Sequence, residues 1–262
     1  MSPRSKLRRM MDAGMLLLML LAAPLSPSAA QPVALRVAAQ EGTEPKFIAA
    51  GKDRIIGLCV DIFRTIERID PGLIFIGDQQ WMPLIRAYHQ VAVQQHDALC
   101  AVQHTEERER QYVYLDPPLF PINYMLLVRA GDEVVVNNWD DVRKLGQDGV
   151  VLANRGYATT DFLIAQGGLQ INASATSPVM NLQKLMAGRA RFFLHRSPGL
   201  AGVIASAGAT GKVKVLPQVM STAQLHMVMG RHVDPGVVAR VRRALEQMEK
   251  TGELARLLKK WD

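Results

Sequence analysis

The chain has 262 residues, 48% of them hydrophobic and 21% charged, with 31 Lys and Arg against 24 Asp and Glu. This is an ordinary globular composition for one large domain or two modest ones, and it excludes a disordered chain, a collagen-like repeat and a polytopic membrane protein. The net charge of +7 falls to +4 when residues 1–30 are set apart, because Arg4, Lys6, Arg8, Arg9 and Asp12 lie there. So mild an excess, with no basic run interleaved with aromatics, gives no reason to expect nucleic acid.

The first thirty residues read as an address. The basic cluster is followed by an apolar stretch over 13–23, and Ser28 and Ala30 then stand at −3 and −1 before Gln31. That is the pattern of a Sec-type secretory signal, which predicts export. The apolar stretch is well short of the roughly 20 residues that span a bilayer. An exported protein permits disulfides. The chain has two cysteines, Cys59 and Cys100, and both a bridge and two buried thiols remain open.

From Ala34 onward strand and helix signals alternate, which argues for α/β layers. ALRVAA predicts a strand, and GLCVDIFRTIERID a helix with Val60, Phe63, Ile66 and Ile69 on one face. LIFIG follows as a strand, 82–95 as a helix with Leu84, Ile85, Tyr88, Val91 and Ala92 inward, and DALCAV as a third strand leading into HTEERERQ. After Pro117 and Pro118, YMLLVRAGD is extended and opens a second set: helix WDDVRKLG, strand VVLAN and helix ATTDFLIAQGG. Ser177-Pro178 starts a helix (cap, then first-turn proline), RFFLH is a strand, and Ser197-Pro198 starts the next helix. KVKVL and QLHMVMG are strands, and helices from Asp234-Pro235 and over ELARLLKKW close the chain. Two successive α/β units suggest two lobes with a cleft, and ligands of such sheets bind beyond the carboxyl ends of the strands.

The order of these motifs resembles bacterial extracellular solute-binding protein family 3, the polar-amino-acid type of periplasmic binding protein. GLCVDIF stands where the family has Gly-Phe-x-Val-Asp-Leu. The stretch from Trp81 through DALCAVQHTEERERQYVYLDPPL is similar to its helix, Asp-Ala strand, Thr-x-x-Arg turn and Ser-x-Pro-Tyr segment. NYMLLVRAGD and LHMVMGRHVDP look like its two crossover strands, and TGELARLLKKWD like its C-terminal ending. The resemblance implies a two-lobed Venus-flytrap fold, each lobe a mainly parallel sheet flanked by helices. Lobe one would hold 31–128 and 226–262, and lobe two 129–225.

It also implies site residues. Arg108 occupies the Thr-x-x-Arg position, whose guanidinium forks onto a ligand carboxylate, and Arg is chemically suited to that bidentate grip. The plainer reading is a solvated arginine in the run TEERER. Thr105 would cap that turn or add a hydroxyl. In RGYATTDF, Gly156, Thr159 and Thr160 resemble the family's Gly-Thr-Thr turn, although the spacing departs from its contiguous triplet and the threonines equally suit N-caps. Tyr157 would cover the ligand or shield the hinge, and Trp81 and Phe47 would line the lobe-one wall or sit in the core.

The sharpest departure is Arg196, where amino-acid binders of the family usually carry an Asp for the ligand ammonium. A cation there favours a carboxylate-rich solute, unless Arg196 faces solvent and Glu41 or Asp116 pairs the ammonium instead. The six histidines show no metal spacing, and no catalytic elbow or phosphate loop occurs, so no cofactor, metal or catalytic residue is expected.

The implied function is capture of a small carboxylate-bearing solute by a monomer that hands it to an inner-membrane ABC permease. Two alternatives stand beside it. One is a periplasmic sensor or accessory protein. The other is an enzyme of the cyclohexadienyl dehydratase type, for which Glu41 and Glu44 are the acids near the cleft mouth.

Overall fold

The computed structural model describes residues 31–261, so the signal segment read over 1–30 lies outside the described residues. Strand β1 (Val33–Arg36) pairs in parallel with β5 (Leu73–Ile76), putting Leu35 opposite Phe75. Between them come three two-residue strands, β2 (Ala39–Gln40), β3 (Ile48–Ala49) and β4 (Ile55–Ile56), and helix α1 (Leu58–Ile69). Helix α1 forms because Leu58, Ile62, Phe63 and Ile66 recur on one face, and all four are buried. Phe63 stacks on Phe75 at 4.5 Å and lies 6.4 Å from Phe47. This aromatic column is the centre of the larger core, and each such ring stabilises the fold by roughly 1.5–3 kcal/mol through burial.

Strand β6 (Trp81–Met82), helix α2 (Leu84–Ala92), strand β7 (Ala98–Gln103) and the short helix α3 (Glu106–Gln111) follow. Thr105 caps α3, its hydroxyl accepting from Arg108 N at 3.2 Å. On α2, Ala87 and Val91 are buried but Ile85 is exposed, so the predicted apolar face is only partly spent on the core.

Two 18-residue strands organise the rest. β8 (Tyr112–Arg129) and β12 (Val213–Gly230) run antiparallel along most of their lengths. β7 pairs with the C-terminal part of β12. At the opposite end β11 (Phe192–Ser197) pairs with Asn123–Leu127 of β8, β9 (Val151–Asn154) lies parallel to β11, and β10 (Ile171–Ala175) parallel to β9. The order is therefore β10-β9-β11-β8-β12-β7, a mixed sheet in which the two long strands are shared by both ends. Helix α4 (Trp139–Lys144), a 3-10 turn (Gly146–Gly149), α5 (Ala158–Gln166), α6 (Pro178–Met186) and α7 (Leu200–Ser206) cover the β11 end, while α8 (Pro235–Lys250) and α9 (Glu253–Trp261) return to pack on α1.

Ser177 caps α6 with Pro178 at its first turn, and Asp234 caps α8, both as the sequence predicts. One predicted start moves. Ser197 ends β11, and α7 begins at Leu200 after Gly199, whose φ of 88° is left-handed. Cys59 and Cys100 stand at disulfide distance, with Cα atoms 6.0 Å apart, tying the start of α1 to the middle of β7.

An ion cluster fixes β7 to β1. The Asp97 carboxylate accepts from Arg36 Nε (2.8 Å) and Arg36 Nη2 (2.7 Å), and lies 3.1 Å from His232 Nε2. Although burial works the other way, these partners hold the carboxyl down at about 2 against an ordinary 3.8. A depressed carboxyl contributes stability above its unfolded value and loses it as pH falls through the folded one. The unfolding free-energy gap between the wild type and Asp97→Asn should therefore narrow by about 2 kcal/mol from pH 5 to pH 2. Urea titrations at the two pH values measure it, and a constant gap would contradict the pairing.

Candidate functional site

The carboxyl end of β7 and the turn after it approach the turns that follow β9 and β11. Arg108 lies between them. Its guanidinium sits over the Tyr88 ring at 4.6 Å and donates to Gln103 O (3.4 Å) and, across the gap, to Gly156 O (3.3 Å). Both contacts are long and both acceptors neutral, so the charge is not matched by an acid. Gly156 is required there: its φ is 79°, and a Cβ would meet Ile85 Cγ1 at 2.3 Å. That approach explains the exposed Ile85, which faces the β9–α5 turn.

Three further contacts join the same two sides. The Tyr157 hydroxyl donates to Gly42 O at 3.4 Å. Arg196 donates from Nη2 to Glu44 O at 3.0 Å and from Nη1 to Pro198 O at 3.3 Å. Gly199 lies against Glu44 so closely that a Cβ would meet its carbonyl oxygen at 2.2 Å. Arg196 is 7% exposed, so the solvent-facing alternative for it is overturned. β11 is buried on both faces over Phe192–Arg196, and Arg196 stands opposite Tyr124 of β8. Asp116, one of the acids considered for an ammonium, is 85% exposed in its side chain beside His226, and Glu41 is also exposed.

Tyrosines surround the cationic groups. Of the five in the chain, Tyr88, Tyr112, Tyr114 and Tyr124 all feel the Arg108 charge, and Tyr157 feels Arg196. Burial pushes the Tyr124 and Tyr157 hydroxyls up to about 12, so both are neutral donors at physiological pH. Tyr114 donates to Gln103 O at 2.8 Å, and Tyr124 donates to Gln103 Oε1.

The remaining predicted residues divide. The Thr160 hydroxyl donates to Asn154 O (2.9 Å), and Thr159 is buried. Neither is an N-cap, since the cap position of α5 is Tyr157, which makes no side-chain cap bond. Trp81 is 41% exposed on β6. Phe47 has no exposed surface and packs on Phe63, so of its two readings the structure shows the core one. A surface hollow of about 790 Å³ lies away from this site, lined by Arg129, Asp132, Asp148, Arg189 and Arg191. Its three arginines face Asp132, Glu133 and Asp148, and Asp132 already pairs with Arg191, so its lining is balanced in charge where the Arg108 cluster is not.

Residues 35–262 match the family model of bacterial extracellular solute-binding proteins, family 3. The chain belongs to this family. Solved structures agree on the fold. A histidine kinase sensor domain with similarity to periplasmic binding proteins superposes with a TM-score of 0.75 at 18% identity, covering 88% of this chain and 96% of its own. The substrate binding protein of an amino acid ABC transporter gives 0.72 at 13%, covering 87% and 99%. The ancestral amino acid-binding protein AncCDT-1, a precursor of cyclohexadienyl dehydratase, gives 0.69 at 18%, covering 87% and 95%. No curated protein sequence matches significantly.

Within this family 3 member, two polar residues of the cleft escaped the sequence reading. Lys46 is 4% exposed, and its Nζ donates to Gln40 Oε1 (2.5 Å) and Ala101 O (3.0 Å). Burial, with Arg196 and Arg108 nearby, holds its pKa well below the ordinary lysine range. Gln103 carries Arg108, Tyr114 and Tyr124 on its two oxygens. A signal for each exists. Lys46 stands between Pro45 and Phe47 rather than among polar residues, and Gln103 is the last residue of a strand whose carboxyl end should meet a ligand.

Proposed function

We propose that this chain is an exported, non-catalytic solute-binding protein that captures a small carboxylate-bearing solute and delivers it to an inner-membrane ABC permease. The observation that carries this reading is Arg108, a guanidinium at the meeting of two sides of a cleft that donates only to long, neutral carbonyl contacts. A carboxylate would take the fork in their place, exchanging neutral acceptors for a charge-assisted bidentate pair. Lobe one is then 31–128 with 226–262 and lobe two 129–225, with β8 and β12 crossing between them. A solute touching Arg108 on one lobe and the Gly156–Tyr157 turn on the other favours the closed state by its differential affinity. Micromolar binding needs about 8 kcal/mol, which charge-assisted bonds and an aromatic surround can supply. The protein works as a monomer, without cofactor, metal or nucleic acid.

The test is a thermal-shift panel of amino acids, mono- and dicarboxylates and amines, with NMR of each hit after prolonged incubation. A ligand at a hundred times its dissociation constant stabilises by about 2.7 kcal/mol, a shift of several degrees at this size. Hits confined to carboxylates, recovered unchanged, are the expected result. Hits among amines lacking a carboxylate would overturn the carboxylate reading. Conversion of a hit would favour the dehydratase-like alternative, for which Glu44 supplies a carboxyl with one oxygen buried and unpaired.

A further inference from the structure

We propose that the solute is a dianion, one end held by Arg108 and the other by a second anion pocket made of Lys46, Gln40 and Arg196. This deepens the carboxylate reading above and rests on it. The observation behind it is a cluster of three cations without an ion-pair partner, Lys46 and Arg196 buried and Arg108 half-buried. Among the described residues the buried acids pair elsewhere, Asp97 with Arg36, Asp78 with Arg64 and Asp132 with Arg191. Lys46, Arg108 and Arg196 instead donate to amide and carbonyl oxygens alone. Buried cations without an acidic partner are costly, and Lys and Arg are rarely buried unless paired.

One acid stands close to them. Glu44 acts electrostatically on Arg196, and its Oε2 is buried without a hydrogen-bond partner. By formal charge, one carboxylate against three cations leaves an excess of two positive charges, which a dianion neutralises. An amino acid fits less well. Its ammonium would enter a field set by Lys46 and Arg196, and the acceptors an amine would use, Ala101 O and Gln40 Oε1, are already held by the Lys46 ammonium. An ammonium carries three donors and Lys46 has two partners here, so one N–H remains for an incoming oxygen. An anion beside Nζ also opposes the effect of burial on the charged lysine. Lys46 thus acts as a tethered ammonium, and the solute needs none of its own.

The experiment titrates the purified protein calorimetrically with malonate, succinate, glutarate and adipate, each beside its half-methyl ester, which removes one charge at nearly constant shape. At least one diacid should bind about tenfold or more tightly than its half-ester. Lys46→Met should bring that diacid to within about twofold of the half-ester while leaving the half-ester nearly unchanged, and Arg196→Gln, made separately, should do the same in part. Half-esters equal to their diacids across the series would overturn the proposal, as would variants that keep the diacid preference, or a series that does not bind at all. If half-esters bind and lose that binding in Arg108→Ala, the carboxylate reading stands although the dianion reading has failed.

Discussion

Arg108→Ala should lower affinity for the solute by about a hundredfold, because truncating one partner of a desolvated charge pair costs roughly 2–5 kcal/mol. Folding should be almost untouched. The free guanidinium makes only the two long contacts to Gln103 O and Gly156 O and rests on the face of the half-buried Tyr88. The expected pattern is thus a calorimetric titration that flattens at concentrations saturating the wild type, with a thermal midpoint within about two degrees of it. Arg108→Lys should recover part of the loss, since an ammonium keeps the charge but not the planar fork. Unchanged affinity in Arg108→Ala would mean that Arg108 is a surface residue of α3.

The second large effect is on stability. Cys59 and Cys100 are 41 residues apart in sequence, and closing such a loop is worth about 4 kcal/mol in the chain-entropy model. For a chain of this size that corresponds to a midpoint about 8–16 °C lower after reduction. The bridge also backs the second anion pocket. Cys59 N donates to Lys46 O at 3.0 Å, and Cys100 O accepts from Gln40 Nε2 at 3.2 Å. Thermal melts with and without a phosphine reductant, checked against the Cys59→Ser, Cys100→Ser double variant, measure the effect. Identical melts in all three conditions would show that the thiols are not joined.

The elements that periodicity identified are those whose stability comes from one continuous apolar face. Helix α1 is the clearest: of its predicted face Phe63 and Ile66 are buried and Val60 and Ile69 half-buried, while Leu58 and Ile62 complete the buried set. The long strands were harder. The first half of β8 carries Pro117, Pro118 and Pro121, which ordinarily demote a strand. The predicted extension therefore began only at Tyr124, whereas the observed pairing with β12 starts at Tyr112. The sequence predicts two strands, KVKVL and QLHMVMG, and the structure carries them through as one, past Pro217 and Ser221-Thr222, with register shifts around Val219 and Leu225.

In the site, Arg108 and Thr105 were legible because a local motif and a local cap place them. Lys46 was not. A lysine defaults to the surface, and the acceptor that holds this one, Ala101 O, belongs to a strand 55 residues further on. The direction of Arg196 was equally non-local, since its partner Glu44 O is 152 residues away. Sequence patterns reported which residues are apolar and which are capped. They did not report which loops meet across the cleft.

The most direct test of the carboxylate assignment is a crystal structure of the complex with the tightest ligand from the panel. A carboxylate forked on the Arg108 guanidinium, about 2.7–2.9 Å from each nitrogen, with the Arg108–Gly156 contact displaced, is the predicted result. A ligand bound in the cleft while Arg108 still donates to Gly156 O and Gln103 O, with the carboxylate elsewhere, would contradict it.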